Sequence, residues 1–190
     1  IAPYADIVRP RSSEISEAVT EFLEAKPSVI IMADVGTIPP PAESLLKDWI
    51  EKGGMLVRFA GPRLAAASED KLLPVALRRG ERALDGTMSW TVPQSLLPFG
   101  ELSPFAGVEI TSDITISRQV LALPEPNLAE RSWADLADGT PLVTAAEQGR
   151  GRIVLFHVTP NTSWSNLPLT GTFVEMLRRT VSLAQSAAGG

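Results

Sequence analysis

The segment that decides the fold reads Asp138-Gly139-Thr140-Pro141-Leu142-Val143-Thr144-Ala145-Ala146-Glu147-Gln148-Gly149-Arg150-Gly151-Arg152-Ile153-Val154-Leu155-Phe156-His157-Val158. Two β-rich runs are separated by a turn that contains two glycines, which predicts a β-hairpin. The second run is apolar throughout 153–156, so we expect a strand that is buried on both faces inside a covered sheet. His157 is the only histidine of the chain and follows that strand, at the end where α/β sheets place their ligand sites.

The first third of the chain alternates between predicted helices and predicted strands. Apolar residues at helical spacing predict a helix over about 15–25, and a second helix starts at the prolines 39–41. Continuous apolar runs at 29–32 and 55–60 predict a buried strand after each helix. Because the connections are short, these four elements predict a parallel α/β sheet. An apolar-striped segment from Thr170 predicts a final helix that packs on this sheet.

We interpret residues 1–190 as one domain with a less regular, proline-rich part from about 64 to 138. Short strands are predicted at 73–77, 86–90 and 114–121, and residues 1–11 are interpreted as a strand or a lead-in. These strands would form a β-containing excursion laid onto the core, and the alternative is a set of long surface loops. The predicted fold class is α/β, with a mainly parallel sheet, helices on both faces and this excursion.

The composition argues against several kinds of function. Seventeen basic and 22 acidic residues give a net charge of −5, which disfavours nucleic acid as a partner because phosphates require clusters of lysine and arginine. No cysteine is present, so disulfides, thiolate metal sites and a cysteine nucleophile are excluded. No apolar run approaches the ~20 residues of a membrane span. Because the chain begins at Ile1 and not at methionine, we expect a piece of a longer protein.

Polar residues lie at the ends of the two predicted parallel strands. Asp34 closes the first strand, and Arg58 and Arg63 lie near the end of the second. If the strands are neighbours, these side chains converge with His157 at one edge and could line a pocket for an anion or a polar ligand. The alternative is that Asp34 caps a turn while the arginines are solvated or paired with it. His157 itself is either a general acid or base, which would need a nucleophile and an orienting carboxylate, or a histidine satisfied inside the structure.

A further group of candidate ligand-lining residues follows His157. Trp164 stands in a loop near Asn161 and beside Asn166, a combination that could contact a sugar. One histidine and scattered carboxylates provide neither zinc nor calcium spacing, so we expect no metal. The two glycines at 149–151 lie between strands rather than at the start of a helix, where a phosphate-binding loop would lie. We therefore expect no cofactor and assign no catalytic residue.

Several runs resemble the class I glutamine amidotransferase-like fold, a flavodoxin-like α/β sandwich; they are 28–36, 46–54, 55–61 and 151–157. In active members of that family the late strand delivers the catalytic histidine, which is followed by Pro-Glu, whereas Val158-Thr159 follows His157 here. The nucleophilic cysteine would stand just after a strand such as 56–60, where this chain has Ala60-Gly61-Pro62. The resemblance implies the family's fold with two of the three triad positions vacant, and glutaminase activity is excluded by the absence of cysteine.

The runs 56–64, 138–143 and 164–169 resemble a region of large bacterial membrane proteins. Those proteins carry a BatA-type (aerotolerance regulator-like) N-terminal segment and a C-terminal DUF4159 domain of unknown function. The resemblance implies that the chain is a soluble module of a membrane-anchored protein, on its extracytoplasmic (periplasmic) side. Its partners would be other domains of the same protein or envelope proteins.

From these observations we expect a non-catalytic amidotransferase-like module used for interaction or ligand sensing. One alternative is a hydrolase in which His157 acts with Asp34 or with a serine such as Ser163. The other is a carbohydrate-binding module that uses Trp164, Asn161 and Asn166.

Overall fold

The computed structural model describes residues 13–67, 70–83 and 92–188 of the chain. In chain order the elements found there are α1 (Ile15–Glu24), β1 (Val29–Ala33), α2 (Pro40–Glu51), β2 (Met55–Phe59), α3 (Pro62–Ala66), β3 (Arg82–Ala83), β4 (Arg118–Gln119), α4 (Leu128–Arg131), β5 (Ser132–Asp135), β6 (Pro141–Gln148), β7 (Gly151–Phe156), a short 3-10 turn (Leu167–Leu169) and α5 (Gly171–Ala188).

The main sheet has the strand order β1-β2-β7-β6-β5. β1, β2 and β7 run parallel to one another, whereas β6 is antiparallel to both of its neighbours, β7 and β5. β6 and β7 form the predicted hairpin, with Val143 opposite Phe156. The predicted α/β class is therefore confirmed, with a parallel core and an antiparallel side.

Helices cover both faces of the sheet. The burial of all five positions of β2 shows that this strand has cover on each side. Leu56 lies in one apolar cluster with Ile30 of β1 and Leu46 of α2. Phe59 lies in a second cluster, and its ring centroid is 6.1 Å from that of Phe173 near the start of α5. The two clusters place α1 and α2 on one side and α5 on the other.

The excursion from about 64 to 138 packs on the sheet in the part that the structure describes. β5 adds an outer antiparallel strand to the main sheet, and β3 pairs with β4 in a separate ribbon. Buried side chains of the excursion join the apolar cluster on the α5 side; they are Phe105, Ile114, Ile116, Val120 and Leu136. The described part of the excursion therefore combines a short antiparallel extension of the sheet with long irregular segments whose apolar side chains pack on the core.

The strand predicted at 114–121 is much shorter than expected, since only Arg118–Gln119 is a strand. Ile114 and Ile116 are buried with the exposed Thr115 between them, but Gln119 and Val120 are both buried, so burial does not alternate over the whole segment, and its backbone partners are loops. Ile116 makes isolated bridges to Gln94 and to Ser165, so a continuous ladder does not form.

The prediction of a strand at 73–77 is wrong. That segment forms no strand, and Leu77 makes an isolated bridge to Ala122. The predictions at 1–11 and 86–90 lie outside the described residues.

The turn of the β6–β7 hairpin packs closely against the end of α2. A Cβ atom at Gly151 would overlap the backbone carbonyl oxygens of Ile50 and Gly54. These are backbone atoms, which cannot move aside as the end of a flexible side chain can. Glycine at this position therefore allows the hairpin to approach the helix.

We expect Gly151→Ala to lower the free energy of unfolding by about 2 kcal/mol or more, because the added methyl group must displace backbone atoms. Urea denaturation followed by circular dichroism measures the change. Gly100→Ala is the matched control, since a Cβ at Gly100 has no neighbouring heavy atom within 4 Å, and its effect should stay below about 0.5 kcal/mol. Equal stability of the wild type and Gly151→Ala would contradict the close approach.

Candidate functional site

The strands β1, β2 and β7 end side by side at one edge of the sheet. The amide of Asp34 donates to the carbonyl oxygen of Phe59 at 2.9 Å, and the amide of Ala60 donates to that of Phe156 at 2.9 Å. His157 is the next residue after Phe156. The strands that carry the candidate residues at their ends are therefore neighbours in the sheet.

Asp34 caps the first turn of α3. Its backbone has a φ of 49°, in the left-handed region that aspartate tolerates better than most residues. Its Oδ1 accepts hydrogen bonds from the amides of Arg63 at 2.9 Å and Leu64 at 3.1 Å. Amides in the first turn of a helix have no acceptor within the helix, so the carboxylate satisfies two of them. Asp34 thereby ties the end of β1 to the segment that follows β2, while the side chain of Arg63 stays exposed.

Gly61 lies directly against the Asp34 side chain. A Cβ atom at Gly61 would lie 2.5 Å from Oδ1 of Asp34 and 2.7 Å from its Cβ. The backbone of Gly61 is extended, with a φ of 179°, a conformation that any residue can adopt. The restriction at this position is therefore steric: a side chain at 61 and the carboxylate of Asp34 exclude each other.

Arg58 lies inside the protein and not at an open edge, with 1% of its side chain exposed. Its guanidinium donates to the carboxylate of Asp70 at 2.6 Å and to the carbonyl oxygens of Leu72 and Val35, both at 2.9 Å. The proposed pairing of this arginine with Asp34 is therefore wrong, because Asp70 holds it instead. Arg58 does not line an open pocket in this structure.

His157 is fully buried, and both of its ring nitrogens are engaged. Nδ1 lies 2.7 Å from the carbonyl oxygen of Val120, and Nε2 lies 2.9 Å from Oγ1 of Thr144. A carbonyl oxygen can only accept, so Nδ1 carries the proton and Nε2 accepts from the threonine hydroxyl. Burial lowers the pKa of His157 to about 4, although the hydrogen bond to Val120 opposes this shift. The imidazole is therefore neutral at neutral pH.

This arrangement is that of a histidine satisfied inside the structure. The hydrolase alternative requires His157 to lie within hydrogen-bond reach of Asp34 or of Ser163. The ring nitrogens bind Val120 and Thr144 instead. Neither nitrogen is available to a substrate without breaking one of these bonds.

The residues expected to form a sugar-binding surface have structural roles. Trp164 is only 2% exposed and belongs to the core, so its ring does not offer the sugar contact that the sequence suggested. Oδ1 of Asn166 accepts from the amide of Thr115 at 2.8 Å, which joins the loop to the excursion. Asn161 is exposed, and its Oδ1 accepts from the amide of Ser163 at 3.0 Å in a local turn.

The sequence did not identify the side-chain partners of Arg58 and His157, which are Asp70 and Thr144. The hairpin register contains a signal for Thr144. The amide of His157 donates to the carbonyl oxygen of Leu142, and Thr144, two residues further along β6, lies on the same face of the strand as Leu142. No comparable signal exists for Asp70, because it lies in an irregular segment where side-chain direction has no period.

Two other features are absent from the described ranges, a membrane-spanning helix and a cluster of metal-binding side chains. No helix there combines the length and the apolar character that crossing a membrane requires. No three acidic or histidine side chains in that part of the chain are grouped so that they could hold a metal ion.

We expect the free energy of unfolding to fall as the pH decreases from about 6.5 to about 4, because of His157. The pKa of this histidine is lower in the folded chain than in the unfolded chain, so the unfolded chain takes up the proton first. Its contribution is complete above about pH 6.5 and is lost by about pH 4, an effect on the order of 3 kcal/mol at most. Denaturant titrations at about pH 7.5 and about pH 5 measure the loss.

The control for this experiment is His157→Gln, which removes the titrating group. This variant should be less stable than the wild type at neutral pH but should lose less stability on acidification. Carboxyl groups titrate in both proteins, so the difference between them isolates the histidine. Equal losses in the two proteins would show that His157 is not held neutral by burial.

Comparison with known proteins gives a match only at the level of structure. No family model matches this chain, and no curated protein matches its sequence. A cytoplasmic protein of Salmonella typhimurium is similar with a TM-score of 0.63 at 16% identity, over 93% of this chain and 76% of that one. A ThuA-like protein of Bacteroides uniformis has a TM-score of 0.57 at 14% identity, over 91% and 75%. A β-galactosidase of Bacillus circulans has a TM-score of 0.50 at 14% identity, over 85% of this chain and 23% of the enzyme.

At these identities the similarity shows the fold alone. ThuA-like proteins have a glutamine amidotransferase-like fold, which is the fold that the sequence resemblance implied. The chain therefore has an α/β fold of the glutamine amidotransferase-like kind, with a mostly parallel central sheet between helices.

Proposed function

We propose that this chain is a non-catalytic amidotransferase-like module that serves interaction or ligand sensing. The observation that carries the proposal lies at Gly61, in the segment where the resemblance places the nucleophile. This residue has no side chain, and the carboxylate of Asp34 occupies the space that a side chain would need. The attacking group is therefore absent, and its place is already filled.

The charge of Asp34 supports the same conclusion. Acyl transfer requires hydrogen-bond donors where negative charge develops on the substrate oxygen. The amides of Arg63 and Leu64 are spent on the Asp34 carboxylate. A second negative oxygen beside this carboxylate would be repelled by it.

His157 supports the proposal through its surroundings. A general base must present a free lone pair to the group that it deprotonates. Here the lone pair of Nε2 accepts from Thr144 in a fully buried position, and the pKa of the ring is lowered to about 4. The histidine therefore stabilises the hairpin–excursion contact and is poorly placed for proton transfer.

We further propose that the module belongs to a membrane-anchored bacterial protein and lies on its extracytoplasmic side. This part rests on the resemblance of the runs 56–64, 138–143 and 164–169 to the membrane proteins with BatA-type and DUF4159 regions. A chain without cysteine is compatible with an oxidising compartment. Its partners would then be other domains of that protein or envelope proteins.

We expect no turnover when the purified chain is incubated with glutamine, with p-nitrophenyl esters or with p-nitrophenyl glycosides. The reason is the absence of both a nucleophile and an accessible base at the strand ends. Product release measured by absorbance, and by ammonia detection for glutamine, tests this expectation. The proposal fails if turnover is found and is lost in His157→Ala while circular dichroism shows that this variant is folded.

We expect Gly61→Ala to lower the free energy of unfolding by about 2 kcal/mol, because its methyl group meets the Asp34 side chain. Asp34→Gly removes that side chain, and glycine tolerates the positive φ at this position. The double variant should therefore be more stable than the sum of the single effects indicates, with a coupling on the order of 1 kcal/mol. Urea denaturation of the four proteins measures the coupling.

The control cycle combines Asp34→Gly with Gly100→Ala, whose Cβ would contact no neighbouring atom within 4 Å. Those two changes should be additive within about 0.5 kcal/mol. Additivity of Asp34→Gly with Gly61→Ala would mean that the carboxylate does not occupy the side-chain space at 61.

A further inference from the structure

A cavity of about 410 Å³ lies beside α3, away from the strand ends. We refer to it as the α3 pocket, and it is lined by residues of α3 and of the segment 70–79. Its apolar lining includes Leu64, Leu73 and Leu77. This volume lies within the range of about 300–1,000 Å³ that is typical of small-molecule sites.

The charged groups that line the α3 pocket are mainly basic. They are Lys71, Arg78 and Arg79, with Asp70 as the only acid among the described lining residues. Asp70 is neutralised from inside the protein, since its Oδ2 lies 2.6 Å from the guanidinium of the buried Arg58. The pocket therefore presents a positive rim in a chain whose net charge is −5.

The side chains of the two arginines have no partner in the part of the chain that the structure describes. Among the described residues, no ion pair or side-chain hydrogen bond reaches Arg78 or Arg79, and both are exposed. Within the described ranges Lys71 has one acidic partner, Glu43 at 4.0 Å, and its side chain is 83% exposed. These cations are therefore available to a ligand.

The backbone that carries the arginines is held in place on both sides. The amide of Arg78 donates to the carbonyl oxygen of Leu121 at 2.8 Å, and that of Gly80 donates to Ala65 of α3 at 2.9 Å. The wall of the pocket is thus tied to α3 and to the excursion before any ligand arrives. A site organised in advance loses less free energy on binding than one that must first be ordered.

We propose that the α3 pocket binds a small amphipathic anion, with its acid group at Arg78 and Arg79 and its apolar body against Leu64, Leu73 and Leu77. The acid group is a carboxylate or a phosphate, because the planar guanidinium matches both with paired hydrogen bonds. The proposal deepens the ligand-sensing part of the proposed function, on which it rests, by naming the class of ligand and the place where it binds.

Isothermal titration calorimetry with octanoate and octyl phosphate tests this site, with octanol and octylammonium as uncharged and cationic controls. We expect at least one of the two anions to bind saturably with one site per chain. Octanol and octylammonium should bind at least about tenfold more weakly, because they lack the charge that the arginines recognise. The tighter of the two anions then identifies the acid group as a carboxylate or a phosphate.

Variants locate the binding. Arg78→Gln combined with Arg79→Gln should weaken anion binding at least about tenfold. Ala76→Glu, at an exposed position of the lining, should do the same by placing a negative charge there. Arg150→Gln is the matched control, an exposed arginine in the hairpin turn that does not line the pocket, and its affinity should equal that of the wild type. All these side chains are exposed, so each variant is expected to keep the wild-type circular dichroism spectrum.

The proposal is overturned if neither anion binds saturably, if octanol binds as tightly as octanoate, or if Arg150→Gln weakens binding as much as the change at Arg78 and Arg79. None of these results alters the non-catalytic assignment. That assignment fails only through turnover, which is measured separately, so the two failures are distinguishable.

Discussion

β2 is buried at all five of its positions, and both of its faces therefore require cover. α2 supplies the cover on one face and α5 on the other, which places the strand in the centre of the α/β layers. One of the five residues is Arg58, whose charge must be balanced inside the protein. Asp70 and two carbonyl oxygens balance it, so the beginning of the excursion is bound to the central strand. Removing one partner of such a buried pair typically costs about 3–5 kcal/mol, so this contact strongly constrains how the excursion packs.

At the strand ends, too, polar groups are bound by partners within the protein, and this supports the proposed non-catalytic role. An enzyme keeps polar groups at this edge free for its substrate, whereas here the Asp34 carboxylate and the His157 ring are bound by the protein. Asp34 binds the first amides of α3, and His157 binds Val120 and Thr144. Arg78 and Arg79, on the segment beside α3, are exposed and have no ion pair or side-chain hydrogen bond within the described ranges. The proposed anion site is therefore the α3 pocket and not the strand ends, where the amidotransferase-like fold performs chemistry.

Much of the core could be predicted because its signals are local. The apolar runs at 29–32 and 55–60 correspond closely to Val29–Ala33 and Met55–Phe59, and the two β-rich runs around the 149–151 turn form the expected hairpin. The excursion was less predictable. Its segment 114–121 alternates as a strand does, but its backbone partners are isolated loop residues, so only two residues form a ladder. The alternation matches burial only over 114–116, and it does not indicate what lies beside the backbone.

The sequence by itself determined the fold class, the buried strands and the absence of a cysteine nucleophile, because hydrophobic period and residue type are properties of short segments. Only the tertiary structure decided which polar groups are satisfied. Arg58 meets an acid 12 residues away in an irregular segment, and His157 meets a carbonyl 37 residues away. Such partners are chosen by how distant segments pack together, and the free energy of each contact depends on burial that no local pattern specifies. For this reason three of the groups that the sequence placed around a pocket, Asp34, Arg58 and His157, are instead held by hydrogen bonds within the protein.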